Sequence, residues 1–342
     1  MRFEFYSDAI ANVPKLSVDG TVDNAIHFSH WNGNTTPQSV KADTSTEIVL
    51  NVVAALDRQE LTRSIDLVTN NHFDTDGILS VWTMLTGERA LSLRSKLIAA
   101  AEAGDFSELS SVDGVRASIV IQGSDSPIDK SGSPLAAKLA GAPVLDEAES
   151  YVLVLPHVED VISNTDNYEE LWRNQWQGIE IALDSFAKGT SRVEEIYDAK
   201  LSVVTLAREA FGPAGFDPKQ HSAPFTAISQ NAHGELFLIA TPFENGWAYR
   251  IDYPYYSWAE TVVRPKIARR DLSEVMNQLN ELETNSAARW RLDSSELASA
   301  AKFSDGKGKL AVSTLKPDRV AGSLKASAKS SVVRPNAAEI HQ

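Results

Sequence analysis

The chain has 342 residues, a net charge of -14 and no cysteine. The length is enough for a sizeable core arranged as two domains, or as one large domain with additions. Without cysteine there are no disulfides and no thiolate zinc sites, so a bound metal would rely on histidine and carboxylate. The acidic balance argues against a nucleic-acid coat protein, which needs basic groups for phosphates.

No apolar run reaches the roughly eighteen residues of a membrane span, and the N-terminus lacks the apolar core of a signal peptide. The expected protein is globular, cytoplasmic and without a membrane partner. The charge is uneven: residues 301–342 hold eight Lys/Arg against three Asp/Glu. The body is acidic and the tail basic.

In chain order, residues 3–6 and 25–29 read as short strands separated by a Pro/Gly/Asp-rich connection. They lead into the polar loop His30-Trp31-Asn32-Gly33-Asn34-Thr35-Thr36-Pro37. Such a loop offers amide donors and a turn glycine that could grip an anion, with Asn34 as the substrate contact. His30 is the candidate for a distant ligand or catalytic partner. The alternative is a structural turn capped by Asn34 over a packed Trp31. Residues 43–47, Asp-Thr-Ser-Thr-Glu, then mark the start of a helix over 48–56.

The apolar run at 65–69 reads as a strand, followed by Asn70-Asn71-His72-Phe73-Asp74-Thr75-Asp76-Gly77 and a helix from Ile78. In extended backbone, side chains at i, i+2 and i+4 share a side. His72, Asp74 and Asp76 are thereby placed to face one divalent cation, and imidazole with carboxylate suits manganese, zinc or iron better than calcium. The alternative is a polar loop in which Asp76 caps the helix.

Residues 72–80, His-Phe-Asp-Thr-Asp-Gly-Ile-Leu-Ser, resemble the first motif of the DHH-type phosphoesterases, H-x-D-x-D-G-x-x-S. The resemblance implies that His72, Asp74 and Asp76 bind manganese at the end of the first parallel strand. The family's later Asp-His-His motif and its glycine-rich G-G-G-H stretch are absent, which leaves the two-metal centre of that family incomplete. A second resemblance runs through most of the chain: residues 30–37 and Tyr255-Tyr256-Ser257-Trp258 are similar to signatures of a family of uncharacterised proteins carrying the same H-F-D-x-D-G stretch. It implies a shared fold and no function.

Further helices are expected over 91–103, 147–163 and 167–188. The stretch 117–121 reads as a strand or a helix end, and Ser124-Asp125-Ser126-Pro127 as a break. A hairpin is expected over 193–206. Strands at 225–229, 235–240 and 247–252 read as an antiparallel meander. Arg264, Arg269 and Arg270 follow beside aromatics and could clamp a phosphate; the alternative is a sheet edge whose arginines pair with the acidic body. A helix over 271–283 comes next, with one short strand at 309–313. Residues 322–342 read as disordered, so removing everything after Lys316 is expected to leave the melting temperature unchanged.

These features describe an α/β protein. Residues 1–190 form a domain with a parallel or mixed sheet and helices, residues 191–300 an antiparallel α+β domain, and residues 301–342 a flexible basic tail. The expected function is metal-dependent hydrolysis of a phosphate ester or nucleotide-like substrate. His72, Asp74 and Asp76 hold the ion, Asp76 and His30 serve catalysis, and Asn34, Arg264, Arg269 and Arg270 receive the phosphorylated substrate. The competing expectation is a non-catalytic binding or structural protein with a degenerate site.

Overall fold

The computed structural model describes residues 1–123, 132–293 and 297–327. The chain divides into two compact units, Met1–Gln177 with Trp258–Pro265, and Gly178–Ser257 with Lys266–Gln342. The division falls at Gln177, before the expected boundary near Ser191, and the segment at 258–265 belongs to the first unit. No helix among the described residues is long and apolar enough to cross a membrane.

The first unit is built on four strands, β1 (Arg2–Phe3), β2 (Lys15–Val18), β3 (Ala25–Phe28) and β4 (Leu67–Thr69). They form a wholly parallel sheet in the order β1-β4-β2-β3. Every residue of β2 and β4 is buried, as a parallel sheet covered on both faces requires. Yet β2 reads Lys-Leu-Ser-Val, and its polar positions need internal partners. Lys15 Nζ donates to the carbonyls of Ala11 at 2.8 Å and Val13 at 3.1 Å, and Ser17 Oγ to that of Gly20 at 2.6 Å. Burial lowers the Lys15 pKa, and the carbonyls take the place of water around its ammonium.

The helices are α1 (Ser45–Ala54), α2 (Arg58–Thr62), α3 (Thr75–Thr86), α4 (Arg94–Phe106), α5 (Val112–Gln122), α6 (Pro134–Ala140), α7 (Glu147–Val154) and α8 (Val158–Ser163). The Thr44 side chain caps α1 by accepting from the Glu47 N–H, as the Ser/Thr-rich entry implied. The stretch 117–121 belongs to helix α5, and the expected break at 124–127 lies outside the described residues.

Helix α9 (Glu169–Ala187) spans the division between the units. In the second unit, β5 (Arg192–Ile196), β6 (Leu201–Thr205), α10 (Phe225–Asn231), β7 (Leu236–Phe243), β8 (Gly246–Asp252), α11 (Ser273–Leu282), β9 (Arg289–Leu292), β10 (Ser299–Ser304) and α12 (Pro317–Ser327) follow. The sheet order is β5-β6-β7-β8-β10-β9, antiparallel throughout except for the parallel pair β6 and β7. Residues 225–229, expected as a strand, are α10. That helix sends Phe225 and Ile228 into a cluster with Val204, Phe237 and Ile239, and this packing outweighs the strand propensity of the stretch.

The tail also departs from expectation. β10 is a sheet strand, and α12 inserts Val320, Ala321 and Leu324 into the cluster formed by Leu201, Leu238, Val275 and Leu279. Its apolar residues are spaced by one and three, a helical stripe that the surrounding Ser, Ala and Lys obscure. Residues 328–342 lie outside the described residues.

Truncation after Lys316 is therefore expected to lower the melting temperature by several degrees, and Leu324→Ala to cost about 2–5 kcal/mol in a urea melt. An unchanged melting temperature in the truncated protein would show that α12 contributes nothing to the core.

Candidate metal centre

Three neighbouring strands of the parallel sheet deliver the site from their carboxyl ends, where ligands gather in open parallel sheets. Asp19 follows β2, His30 follows β3, and the His72–Asp76 stretch follows β4. Asp19 sits at φ +65°, a left-handed conformation that aspartate tolerates better than most residues. Its backbone N–H donates to Phe28 O at 3.1 Å. The next residue must be small: a Cβ at Gly20 would lie 2.3 Å from Asn71 Oδ1.

Asn70, fully buried at the end of β4, ties the loops together. Its Oδ1 accepts from the N–H of Gly20 at 3.0 Å and of Asn71 at 2.7 Å, and its Nδ2 donates to Tyr151 Oη at 3.0 Å. Tyr151 Oη in turn donates to His72 O at 3.1 Å.

The candidate ligating side chains form two groups that share Asp19. The inner group is Asp19, His30, Asp76 and Asp105; the outer is Asp19, His72 and Asp74, and within each the candidate ligand atoms lie within 4.8 Å of one another. His30 Nε2 is 3.1 Å from Asp105 Oδ2, 3.5 Å from Asp19 Oδ1 and 3.6 Å from Asp76 Oδ2. His72 Nε2 is 2.8 Å from Asp19 Oδ2 and 3.1 Å from Asp74 Oδ2. The inner side chains are at most 5% exposed, whereas those of His72 and Asp74 are 25% and 24% exposed. Solvent therefore meets the outer group first.

Both histidines turn the same nitrogen inward. His30 Nδ1 donates to Asp43 O at 2.7 Å, and His72 Nδ1 to Asn71 Oδ1 at 3.0 Å. A carbonyl only accepts, so each Nδ1 carries a proton and each Nε2 faces the carboxylates. His30 Nε2, His72 Nε2 and Asp19 Oδ2 are buried atoms that complete no hydrogen bond, despite the short approach of the last two. Once deprotonated, each imidazole would present its Nε2 lone pair beside the carboxylates, a donor set that fits a cation.

The charges sharpen this reading. Two carboxylates about 4.8 Å apart repel by roughly 3 kcal/mol even at an effective dielectric near 20, and the site holds four. Burial and the charge of Asp19 push Asp76 up to about 6. Burial and the charge of Asp74 raise Asp105 well above the usual carboxylate range. Burial works against a charged His72, but Asp74 and Asp19 outweigh it and raise the imidazole to about 12. Burial likewise opposes charge on His30, and its contacts with Asp105 and Asp19 overcome it. With no cation the site takes up protons; two divalent cations would balance its four carboxylates.

The expected single site is thus divided. His72 and Asp74 belong to one group and Asp76 to the other, because the extended backbone ends at Asp74 and Asp76 already lies in the first turn of α3. The cap of α3 is Asp74, whose Oδ1 accepts from the Gly77 N–H at 2.7 Å. Asp76 instead accepts from the N–H groups of Ser45 and Thr46 at the start of α1, each at 2.7 Å. The motif closes β4, the fourth strand along the chain, rather than the first. His30, the distant candidate, joins Asp76 in the inner group.

The expected substrate contacts are engaged elsewhere. Asn34 Nδ2 donates to Trp31 O and Glu260 Oε2, both at 2.8 Å, while its Oδ1 accepts from the Thr36 N–H, so it organises its own loop. Arg264 is held by Asp43, Glu102 and Glu108. Arg269 and Arg270 lie in the second unit, where they donate to the carbonyls of Leu297 and Ala199.

Two candidate ligands escaped the sequence reading. Asp19 follows a strand whose polar residues conceal it. Asp105 sits in the last turn of α4, beyond the helix end expected at 103, where a carboxylate is disfavoured by the helix dipole; no sequence signal marked it.

Asp76→Asn is expected to weaken metal binding at least ten-fold and to cost about 1–3 kcal/mol of stability, since its amide would face a buried N–H of α1. Asp74→Asn should keep the cap and lose affinity alone. Equal stability losses in urea melts of the two variants would contradict this division of roles. A cation must also displace the protons held by Asp76 and the histidines, so manganese affinity should rise from pH 6 to pH 8 with proton release. Calorimetry in buffers of different ionisation enthalpy would detect that release, and a pH-independent affinity would speak against these ligands.

The comparisons with known proteins give one match. No curated protein and no solved structure matches the chain. The model of a family of unknown function, DUF6687, matches residues 1–326. The chain belongs to that family.

Proposed function

We propose that the protein is a metal-dependent phosphoesterase whose site would hold two divalent cations, with Asp19 among the candidate ligands of both. One observation carries this reading: the Asp19 carboxylate is shared by two His/Asp groups, with His30 Nε2 3.5 Å from its Oδ1 and His72 Nε2 2.8 Å from its Oδ2. Bridging carboxylates are a recurring way to hold two cations for attack on phosphate.

His30, Asp76 and Asp105 would hold the inner ion, and His72 and Asp74 the outer. Manganese suits this imidazole and carboxylate set, and zinc or iron is compatible with it. Such ions supply Lewis acidity toward a phosphoryl oxygen and raise the acidity of water. The chain's own part is to orient. Asp43 and Asn71 fix the histidine tautomers, the start of α1 fixes Asp76, and the partly exposed His72 and Asp74 form the edge that a phosphate ester reaches first. The resemblance of residues 72–80 to the DHH-type phosphoesterases supports the same reaction class. His30 and Asp105 also offer an inner ligand set of the kind whose motif is missing from the linear sequence.

The non-catalytic reading draws on a specific observation. Arg264 and Asn34, the expected phosphate contacts in the first unit, are occupied by protein groups, so anion affinity would rest on the cations.

Untagged protein loaded with manganese is expected to retain two ions per chain by elemental analysis and to hydrolyse a p-nitrophenyl phosphate ester. Asp19→Asn should lose both ions and activity together. Two bound ions with no hydrolysis of mono- or diesters would favour the binding protein, and no bound ion after manganese, zinc and iron are each offered would overturn both readings.

A further inference from the structure

Arg264 touches none of the candidate ligands in the hydrogen bonds described, yet it grips the groups beside two of them. Its Nη1 donates to Asp43 Oδ2 at 2.7 Å, and Asp43 is the residue whose carbonyl fixes the His30 ring. Its Nη2 donates to Glu102 Oε1 at 2.7 Å and its Nε to Glu108 Oε1 at 2.9 Å. Glu102 and Glu108 flank Asp105: the Glu108 N–H closes the end of α4 onto Glu102 O at 3.3 Å, around Ser107 in the left-handed region. One planar guanidinium therefore joins the supports of His30 and Asp105, a fork geometry that lysine cannot reproduce.

The rest of the segment at 258–265 completes a wall. The Glu260 N–H donates to His30 O at 2.7 Å, and the N–H groups of Val262, Val263 and Arg264 all donate to the Asp43 carboxylate. The Trp258 ring meets His30 edge-on at 5.0 Å and also packs on Trp31 and Phe106. The inner group is closed, whereas the outer group opens to solvent through His72 and Asp74.

We infer that Arg264 is a positioning residue for the inner ion, and that the segment at 258–265 retains this ion so that it exchanges more slowly than the outer one. The inference rests on the two-cation reading proposed above. The outer ion is the exchangeable one, present according to the supply of free metal, and the inner ion is resident. Activity would thus be set by occupancy of the outer position.

The test uses full-length protein loaded with manganese, freed of excess ion and mixed with excess EDTA, with release followed by electron paramagnetic resonance. Two phases of equal amplitude are expected. Arg264→Ala should speed the slow phase at least ten-fold, the usual scale for a lost supporting contact, and leave the fast phase unchanged. Trp258→Ala should do the same with the ion-pair network intact, and Trp258→Phe should restore slow release, so the test survives if Arg264→Ala fails to fold. Two ions leaving in a single phase, or a slow phase unchanged by both alanine variants, would overturn the inference alone. Uptake of fewer than two ions would overturn the two-cation reading, and the inference with it.

Discussion

The first unit is arranged around a conflict of charge. Asp19, Asp76 and Asp105 are buried within reach of one imidazole, a placement costly for bare carboxylates and stable only with compensating charge. Much of the local architecture supplies partial compensation. The start of α1 directs two N–H groups at Asp76, Ser45 Oγ donates to Asp19 Oδ1 at 2.8 Å, and both imidazoles turn inward. These contacts fix the carboxylates, and protons on the imidazoles and Asp76 balance part of their charge until a cation takes that place.

The same constraint accounts for features that otherwise look wasteful. Asp19 takes a left-handed backbone conformation, and Gly20 and Gly77 leave no room for a Cβ because the Asn70 and Asn71 side chains pack where one would stand. Asn70 bonds the loop after β2 and, through Tyr151, the loop after β4. It thereby links the two sides of the shared carboxylate. Arg264, which resembles a phosphate clamp in sequence, is better understood as the clasp of the inner group.

The helices and the apolar strands were legible because their periods and caps are local. The Thr44 cap of α1, the strand at β4 and the hairpin of β5 and β6 all announce themselves within a few residues. The failures share a cause in tertiary context. β2 escaped notice because Lys15 and Ser17 break its apolar run, and their burial is made tolerable by backbone carbonyls that no local pattern reveals. With β2 went Asp19. The motif at 72–76 points to residues that lie in two candidate groups rather than in one, since Asp76 already sits in the first turn of α3 while His72 and Asp74 precede it. α12 was missed because three apolar residues, Val320, Ala321 and Leu324, in a Ser/Ala/Lys stretch look like noise until Leu201 and Leu279 are placed beside them.

The most direct measurement is anomalous diffraction at the manganese edge from crystals of the manganese-loaded protein. Two peaks flanking the Asp19 carboxylate, one beside His30 and one beside His72, are the expected result. A single peak shared by His72, Asp74 and Asp76, or none near Asp19, would contradict the two-cation centre.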